Sequence, residues 1–267
     1  MTLVSILITT IVPVFAETSK NLDTTYLKIK SLFKIKAQIN DYAITDGQKI
    51  WNNVIFELNS TNSKIYSEIK PSKKLQEKII VIYPVFTAAA YSDGGFYDYY
   101  KGECDKSCLT VKIKKNYPHR FESSGNAIQV LKLLGYNFIT DIDVDKNPPI
   151  LQKFDKVIVL HNEYVTKKEF NAITNHKNVV YLYPNALYAE ISVDYNKNQI
   201  TLVKGHNYPD KKITNGFSWK HDNSNLEYDT KCSKMGFYKI SNGWMLNCYP
   251  EKAIHASKVL LKTIRDI

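Results

Sequence analysis

The sequence has little that commits it to a membrane or to nucleic acid. Past the first sixteen residues no stretch is long and apolar enough to be a transmembrane helix. Lys and Arg outnumber Asp and Glu by 36 to 26, a formal net charge of +10, yet no run of five basic residues occurs. Nucleic acid binding would want a clustered basic face interleaved with aromatic stacking platforms. The scattered lysines read instead as a solvated surface in a protein facing an acidic cell envelope. No internal repeat is visible. No Gly-x-Cys-x-Gly elbow is present, so a cysteine-dependent glutaminase is not expected. Paired Cys-x-x-Cys knuckles are also missing, which counts against a four-thiolate zinc site.

Charge is absent from Leu3 to Phe15, and Val14-Phe15-Ala16 then gives the small-x-small pattern of a signal-peptidase site. No Lys or Arg precedes the apolar run, so only the amino terminus supplies positive charge there. We read residues 1–16 as a signal peptide and place the protein outside the cytoplasm, secreted or in the envelope. A buried strand or an uncleaved anchor is the alternative; uncleaved, this segment would be the only membrane contact. The four cysteines fit an exported chain. They allow three pairings, of which Cys104–Cys108 with Cys232–Cys248 is the simplest, and spacing does not choose. Asn59-Ser60-Thr61 is a glycosylation sequon that fits an exposed loop.

About 250 residues remain after cleavage, enough for one sizeable core. Residues 17–76 are polar, with weak helical periodicity over Leu27–Ile39 and alternation from Ile50 to Leu58. They read as a leader region with a short helix and one or two strands. Pro71-Ser72 marks a break before a main domain over 77–267. There, Ile79–Tyr83, Tyr136–Thr140, Val157–Leu160 and Val179–Tyr183 read as strands, the first and third apolar on both faces. Leu109 to Lys114 alternates like a strand. A helix is predicted from Ser123-Ser124-Gly125 to Gly135, and a second from Thr166, with Glu169 completing a capping box. This rhythm predicts an α/β fold, a doubly wound parallel sheet. Beyond Asn185 the pattern changes to a C-terminal antiparallel extension. Asn196-Lys197-Asn198 and Ser241-Asn242-Gly243 signal two hairpins, and an amphipathic helix over Ala253–Ile264 closes the chain.

Tyrosine is abundant, at 19 residues. Many will be half-buried with a wet hydroxyl. Several crowd the loop from Phe86 to Gly102, directly after the first strand of the main domain. His161 and Glu163 follow the third strand. Ligands of open parallel sheets bind at the carboxyl ends of strands. Residues two apart in extended backbone point the same way, so an imidazole and a carboxylate meet within reach of the Tyr-rich loop. That pair could bind a metal or do acid–base work. The bland alternative is a hydrogen-bonded surface His and a Glu that complements a helix dipole. His119 and Arg120 could line the same pocket or a loop surface. His206 and His221 lie in polar loops without an assigned role, and His176 and His255 read as solvated helix residues.

Four stretches resemble a known family. Gly135-Tyr136-Asn137-Phe138-Ile139-Thr140-Asp141-Ile142-Asp143 and the strand ending in His161-Asn162-Glu163-Tyr164 are two of them. Ala90-Tyr91 with Gly94-Gly95-Phe96-Tyr97-Asp98-Tyr99, and Tyr183-Pro184-Asn185-Ala186-Leu187-Tyr188, are the others. Together, over roughly residues 78–205, they resemble the C-terminal domain of the large subunit of N,N-dimethylformamidase. The resemblance implies a flavodoxin-like sheet of the class I glutamine amidotransferase type. It also implies Fe(III) held by the phenolates of Tyr91 and Tyr97 and the carboxylate of Glu163, with His161 and Glu163 in catalytic roles. Asn185 and Tyr188 fall on substrate-binding positions. Val165, Tyr183-Pro184 and Ala189-Glu190 depart from the family pattern, so the pocket wall differs. Two readings follow: a metal-dependent hydrolase of amide C–N bonds, or a non-catalytic envelope module on the same fold. The ligand would be a small molecule, a peptide or a glycan.

Overall fold

The computed structural model describes residues 23–45, 48–113 and 124–267. The segment read as a signal peptide lies outside these residues, as do His119 and Arg120. Among the described residues no helix is long and apolar enough to cross a membrane.

The described chain opens with β1 (Thr24–Tyr26), β2 (Phe33–Gln38), a hairpin of β3 (Tyr42–Thr45) and β4 (Gln48–Trp51), and β5 (Val54–Leu58). Strands β1, β2 and β5 form an antiparallel sheet. The sequence predicts a short helix over Leu27–Ile39; the backbone there is extended instead. The physical reason is the period-two pattern of Phe33-Lys34-Ile35-Lys36-Ala37, which puts Phe33, Ile35 and Ala37 inward at no more than 4 % exposure. Phe33, Ile35 and Phe56 join the same apolar cluster as the main sheet.

Helices α1 (Ser63–Ile69) and α2 (Lys73–Gln76) lead into β6 (Ile79–Tyr83), α3 (Val85–Ala90) and α4 (Phe96–Tyr100). Then follow β7 (Thr110–Lys112), α5 (Gly125–Leu133), β8 (Asn137–Thr140), α6 (Asp141–Lys146) and β9 (Lys156–Val159). After β9 come β10 (Tyr164–Thr166), α7 (Lys167–Thr174), β11 (Val179–Tyr181), β12 (Ala189–Asp194) and β13 (Gln199–Lys204). The chain ends with β14 (Phe237–Ile240), β15 (Gly243–Leu246) and α8 (Lys258–Asp266). Helix α6 is one the sequence reading lacks. It begins at a reciprocal capping box between Thr140 and Asp143. The box expected at Thr166 is only half made: Thr166 accepts from the Glu169 N–H at 3.1 Å, and the buried Glu169 carboxyl does not reach back.

The fold is mixed α/β, with parallel and antiparallel strands. The central sheet runs β8–β6–β9–β11–β15–β14. The first five strands are parallel, and β14 is an antiparallel edge. The second predicted hairpin therefore does not form a separate extension, because β15 pairs with β11. Alternate residues of the parallel strands face opposite layers. Val81, Ile158 and Val180 pack with α5 and α8, while Ile82, Val159 and Tyr181 pack with α6 and α7. Each fully buried aliphatic side chain contributes about 1.5–3 kcal/mol, which is why these strands read as unbroken apolar runs. The predicted hairpin β12–β13 sits in a second sheet, ordered β10–β12–β13–β7, against α3.

From β6 the chain crosses to β8 on one side and then returns to β9 on the other. The carboxyl ends of β6 and β9 thus flank the point where the strand order reverses, the place at which open α/β sheets bind ligands. The cysteines stand as two separate disulfides, Cys104–Cys108 and Cys232–Cys248. Two histidine readings are corrected. His176 and His255 are buried, at 5 % and 8 % exposure, and both lie in turns. His176 Nε2 meets the Phe154 carbonyl at 3.0 Å, and the His255 ring packs 5.4 Å from that of Phe56.

Candidate functional site

Three segments meet at the carboxyl ends of β6 and β9. The first is α3. Asp141, at the end of the neighbouring strand β8, caps α3 by accepting from the Phe86 N–H at 2.8 Å. Tyr91 closes the same helix at its carboxyl end. The chain then turns through Gly94, at φ +70°, and Gly95 into α4. A Cβ on Gly95 would lie 2.4 Å from the Ser92 carbonyl oxygen, so only glycine fits. That tight turn sets Tyr97, in the first turn of α4, beside Tyr91 with ring centroids 4.6 Å apart and edge-on.

The second segment runs from Leu160 to Glu163. The backbone N–H groups of Glu163 and Tyr164 both donate to Thr87 Oγ1 of α3, at 3.0 and 3.2 Å. On the other side the Glu163 carbonyl accepts from the N–H groups of Tyr188 and Ala189. Glu163 is thereby clamped between helix and strand with no solvent exposure. The third segment is the turn after β13, which carries His206.

The polar atoms converge on the Glu163 carboxylate. Tyr91 Oη donates to Oε2 at 2.6 Å, and Tyr97 Oη donates to Tyr91 Oη at 3.1 Å. Tyr97 Oη also lies 3.4 Å from each carboxylate oxygen. His206 Nε2 sits 2.5 Å from Oε1, and His161 Nε2 is 3.9 Å from Oε2. The His161 ring is stacked on Tyr183 at 5.9 Å and meets the edge of Tyr249 at 5.4 Å. Tyr183 Oη donates to the buried Glu251 carboxylate.

The four residues singled out as ligand set and base, Tyr91, Tyr97, His161 and Glu163, therefore come together. Tyr188 reaches the cluster through His206, with rings 4.6 Å apart. Asn185 is buried in left-handed backbone at φ +65°. It makes no hydrogen bond of normal geometry, although its amide is near enough to ease the charge of Glu227. Sequence reasoning missed His206 and Glu227. Nothing in the local sequence of Glu227 points to the site, and His206 arrives only because β13 folds back beside β12. A Gly-His-Asn turn at a strand end was the one available signal.

Electrostatics follow from this packing. Burial pushes the Glu163 carboxyl up, but the charge and hydrogen bond of His206, the charge of His161 and the Tyr91 hydroxyl outweigh it and hold it below its ordinary value. Burial, and then the Glu163 charge, push the Tyr91 and Tyr97 phenols well above theirs. Burial and Glu163 also raise Glu227, which His206 and Asn185 partly relieve, to about 7. Without a cation the phenols thus keep their protons and donate.

Among the described residues no group of three or more His, Cys, Asp or Glu is arranged to hold a metal. The donor set here is different, since two of its three oxygens are phenolic. Their separations of 2.6, 3.1 and 3.4 Å are close to the ~3 Å edges of an octahedron with bonds of about 2.1 Å. A hard, anionic oxygen set suits a hard cation, and a bound cation would lower the phenol pKa values that burial raises. The residues present therefore fit such an ion.

A family model described as N,N-dimethylformamidase beta subunit-like, C-terminal, matches residues 54–238, more than half of the chain. A search of curated proteins found no match.

Proposed function

The chain belongs to the family of N,N-dimethylformamidase beta subunit-like C-terminal domains, and from that premise we propose that it hydrolyses amide C–N bonds at a metal centre. The observation that carries this reading is the meeting of Tyr91, Tyr97 and Glu163 oxygens within 3.4 Å of one another. Those three residues would hold Fe(III). When bound, the ion would polarise the amide carbonyl and make water a nucleophile at neutral pH.

The rest falls to the chain's own side chains. His161, fixed between Tyr183 and Tyr249, takes the proton of the attacking water at Nε2 and returns it to the leaving nitrogen. Hydroxide adds to the carbonyl carbon, the C–N bond breaks, and a carboxylic acid and an amine leave. Asn185 and Tyr188 are the residues assigned to the substrate, with Glu227 near both. The fold reading belongs here too. Numbered along the chain, the five parallel strands run 2-1-3-4-5, the order of flavodoxin-like sheets. Export is part of the same reading, supported by two disulfides, which persist in oxidising compartments.

A non-catalytic binding module would leave Tyr91 and Glu163 apart; their 2.6 Å contact weighs against it. The test is elemental analysis of the natively produced protein, with turnover of a small N-substituted formamide. We expect about one iron per chain, lost in Glu163→Ala together with activity. A protein that takes up no iron, and whose stability ignores that substitution, would sink the reading.

A further inference from the structure

We propose that His206 is a positioning residue that fixes the Glu163 carboxylate, holding Oε1 so that Oε2 is the oxygen turned toward Tyr91. The inference rests on the reading of Glu163 as a metal ligand and adds the residue that orients it. His206 Nε2 is 2.5 Å from Oε1, while Tyr91 Oη is 2.6 Å from Oε2. The two closest partners of the carboxylate are thus divided between its oxygens, with Tyr97 Oη 3.4 Å from each. A carboxylate tied at one oxygen presents a single, aimed donor, which is the arrangement by which outer partners set a ligand's geometry.

The position of His206 is built. Its ring is boxed by Tyr100 at 4.9 Å, Tyr164 at 5.5 Å and Tyr188 at 4.6 Å. Its side chain is only 19 % exposed. The backbone enters left-handed space at two successive non-glycine residues, His206 at φ +51° and Asn207 at φ +63°. Such backbone persists only where surrounding structure holds it. Here the N–H groups of His206 and Asn207 donate to the carbonyls of Thr214 and Ile213, each at 2.9 Å. Gly205 lets the turn close on Ala189, whose Cα would be 2.9 Å from any Cβ there. Ala189 in turn donates its N–H to the Glu163 carbonyl at 2.9 Å. One short path therefore ties the backbone of Glu163 and the ring that holds its carboxylate to the same turn.

The test uses the full chain in two states. Metal-free protein is loaded with ferric citrate, and iron affinity and the visible phenolate-to-iron(III) band are recorded for wild type, His206→Leu and His206→Gln. We expect His206→Leu to bind iron about 10–100-fold more weakly, the usual cost of losing a ligand's outer partner, with a shifted band. His206→Gln, whose amide can donate to Oε1, restores most of both. In parallel, metal-free melts at pH 7 compare His206→Leu in the wild-type and Glu163→Gln backgrounds. The melting temperature falls in the first and not in the second, because only the charged carboxylate depends on the imidazole. Equal losses in the two backgrounds, or a wild-type band and affinity in His206→Leu, overturn the proposal. If wild type takes up no iron while the metal-free coupling persists, the iron reading fails and the pairing stands.

Discussion

Glu163 and Glu169 lie on one short strand–helix segment, and neither has any exposure to solvent. Burial alone would push both carboxyls up. Glu163 is nonetheless held below its ordinary value, because His206, His161 and Tyr91 face it. Glu169 has no hydrogen-bond partner for either oxygen. Burial first, then the neighbouring Asp141 and Asp145, drive it well above its ordinary value. Asp141 and Asp145 are themselves occupied, the first capping α3 and the second accepting from Thr166 and Tyr195 at 2.6 Å. The contrast shows that depth does not decide whether a buried acid is an ion; its neighbours do. One carboxyl is an anion waiting among donors. The other is a buried carboxyl that its acidic neighbours drive toward the protonated form.

The comparison breaks most visibly at Glu163. In Glu163→Gln we expect iron uptake to fall to background and amide turnover to drop by at least ~10²–10³-fold, the scale for losing one charge-stabilising group in an active site. Tyr91→Phe comes next and Tyr97→Phe after it, following their distances of 2.6 and 3.4 Å from the carboxylate. Depriving a buried acceptor of its donor costs about 1–3 kcal/mol, so urea denaturation of metal-free Tyr91→Phe should show a loss of that order. A Tyr91→Phe protein as stable and as iron-loaded as wild type would remove the distinction between the two acids.

Part of this contrast was legible in the sequence. The i, i+2 spacing of His161 and Glu163 after an apolar strand, with a Tyr-rich loop after another, pointed to one end of one sheet. The apolar runs of β6, β9 and β11 announced buried parallel strands because both faces are covered. Glu169 was misread as a capping partner. Its spacing from Thr166 fits a capping box, but three-dimensional packing turned its carboxyl toward Asp141 and Asp145. Helix α6 was missed because Asp141-Ile142-Asp143 carries few apolar residues. His206 and Glu227 were invisible for a different reason: their contacts are long-range and depend on how β12, β13 and the following loops return to the site.

Glu169→Gln sharpens the comparison from the other side. A carboxyl whose pKa is raised on folding binds its proton more tightly in the native state. Its contribution is fully present below the unfolded value, near 4.5, and is lost as pH rises toward the raised native value. Glutamine keeps the shape and never ionises. The variant should therefore match wild type at pH 4 and melt a few degrees higher at pH 7–8, where a gain of about 1 kcal/mol is worth roughly 2–4 °C. Glu163, with its lowered pKa, has the opposite sign. Its stabilisation is present above about 4.5 and is lost as pH falls through the native value, so metal-free Glu163→Gln should lose stability at pH 7 and progressively less as pH falls below 4.5. Parallel pH–stability curves for the two variants would contradict the assignment of charge states.

The smallest effect belongs to Glu227, which stands between the two cases. It is half-buried, and burial with the Glu163 charge raises it to about 7, while His206 and Asn185 pull the other way. If the Glu163 anion is one of its causes, removing that anion must move it. Carbon-13 NMR of the side-chain carboxyls in metal-free protein should show one group titrating near pH 7 in wild type and absent in Glu227→Gln. In Glu163→Gln the same signal should shift toward ordinary carboxyl values, while in Glu169→Gln, which removes none of the groups that act on Glu227, it should stay where it was. A Glu227 signal indifferent to both substitutions would mean that burial alone raises it, and that Glu163 is not the charged centre around which the site is organised.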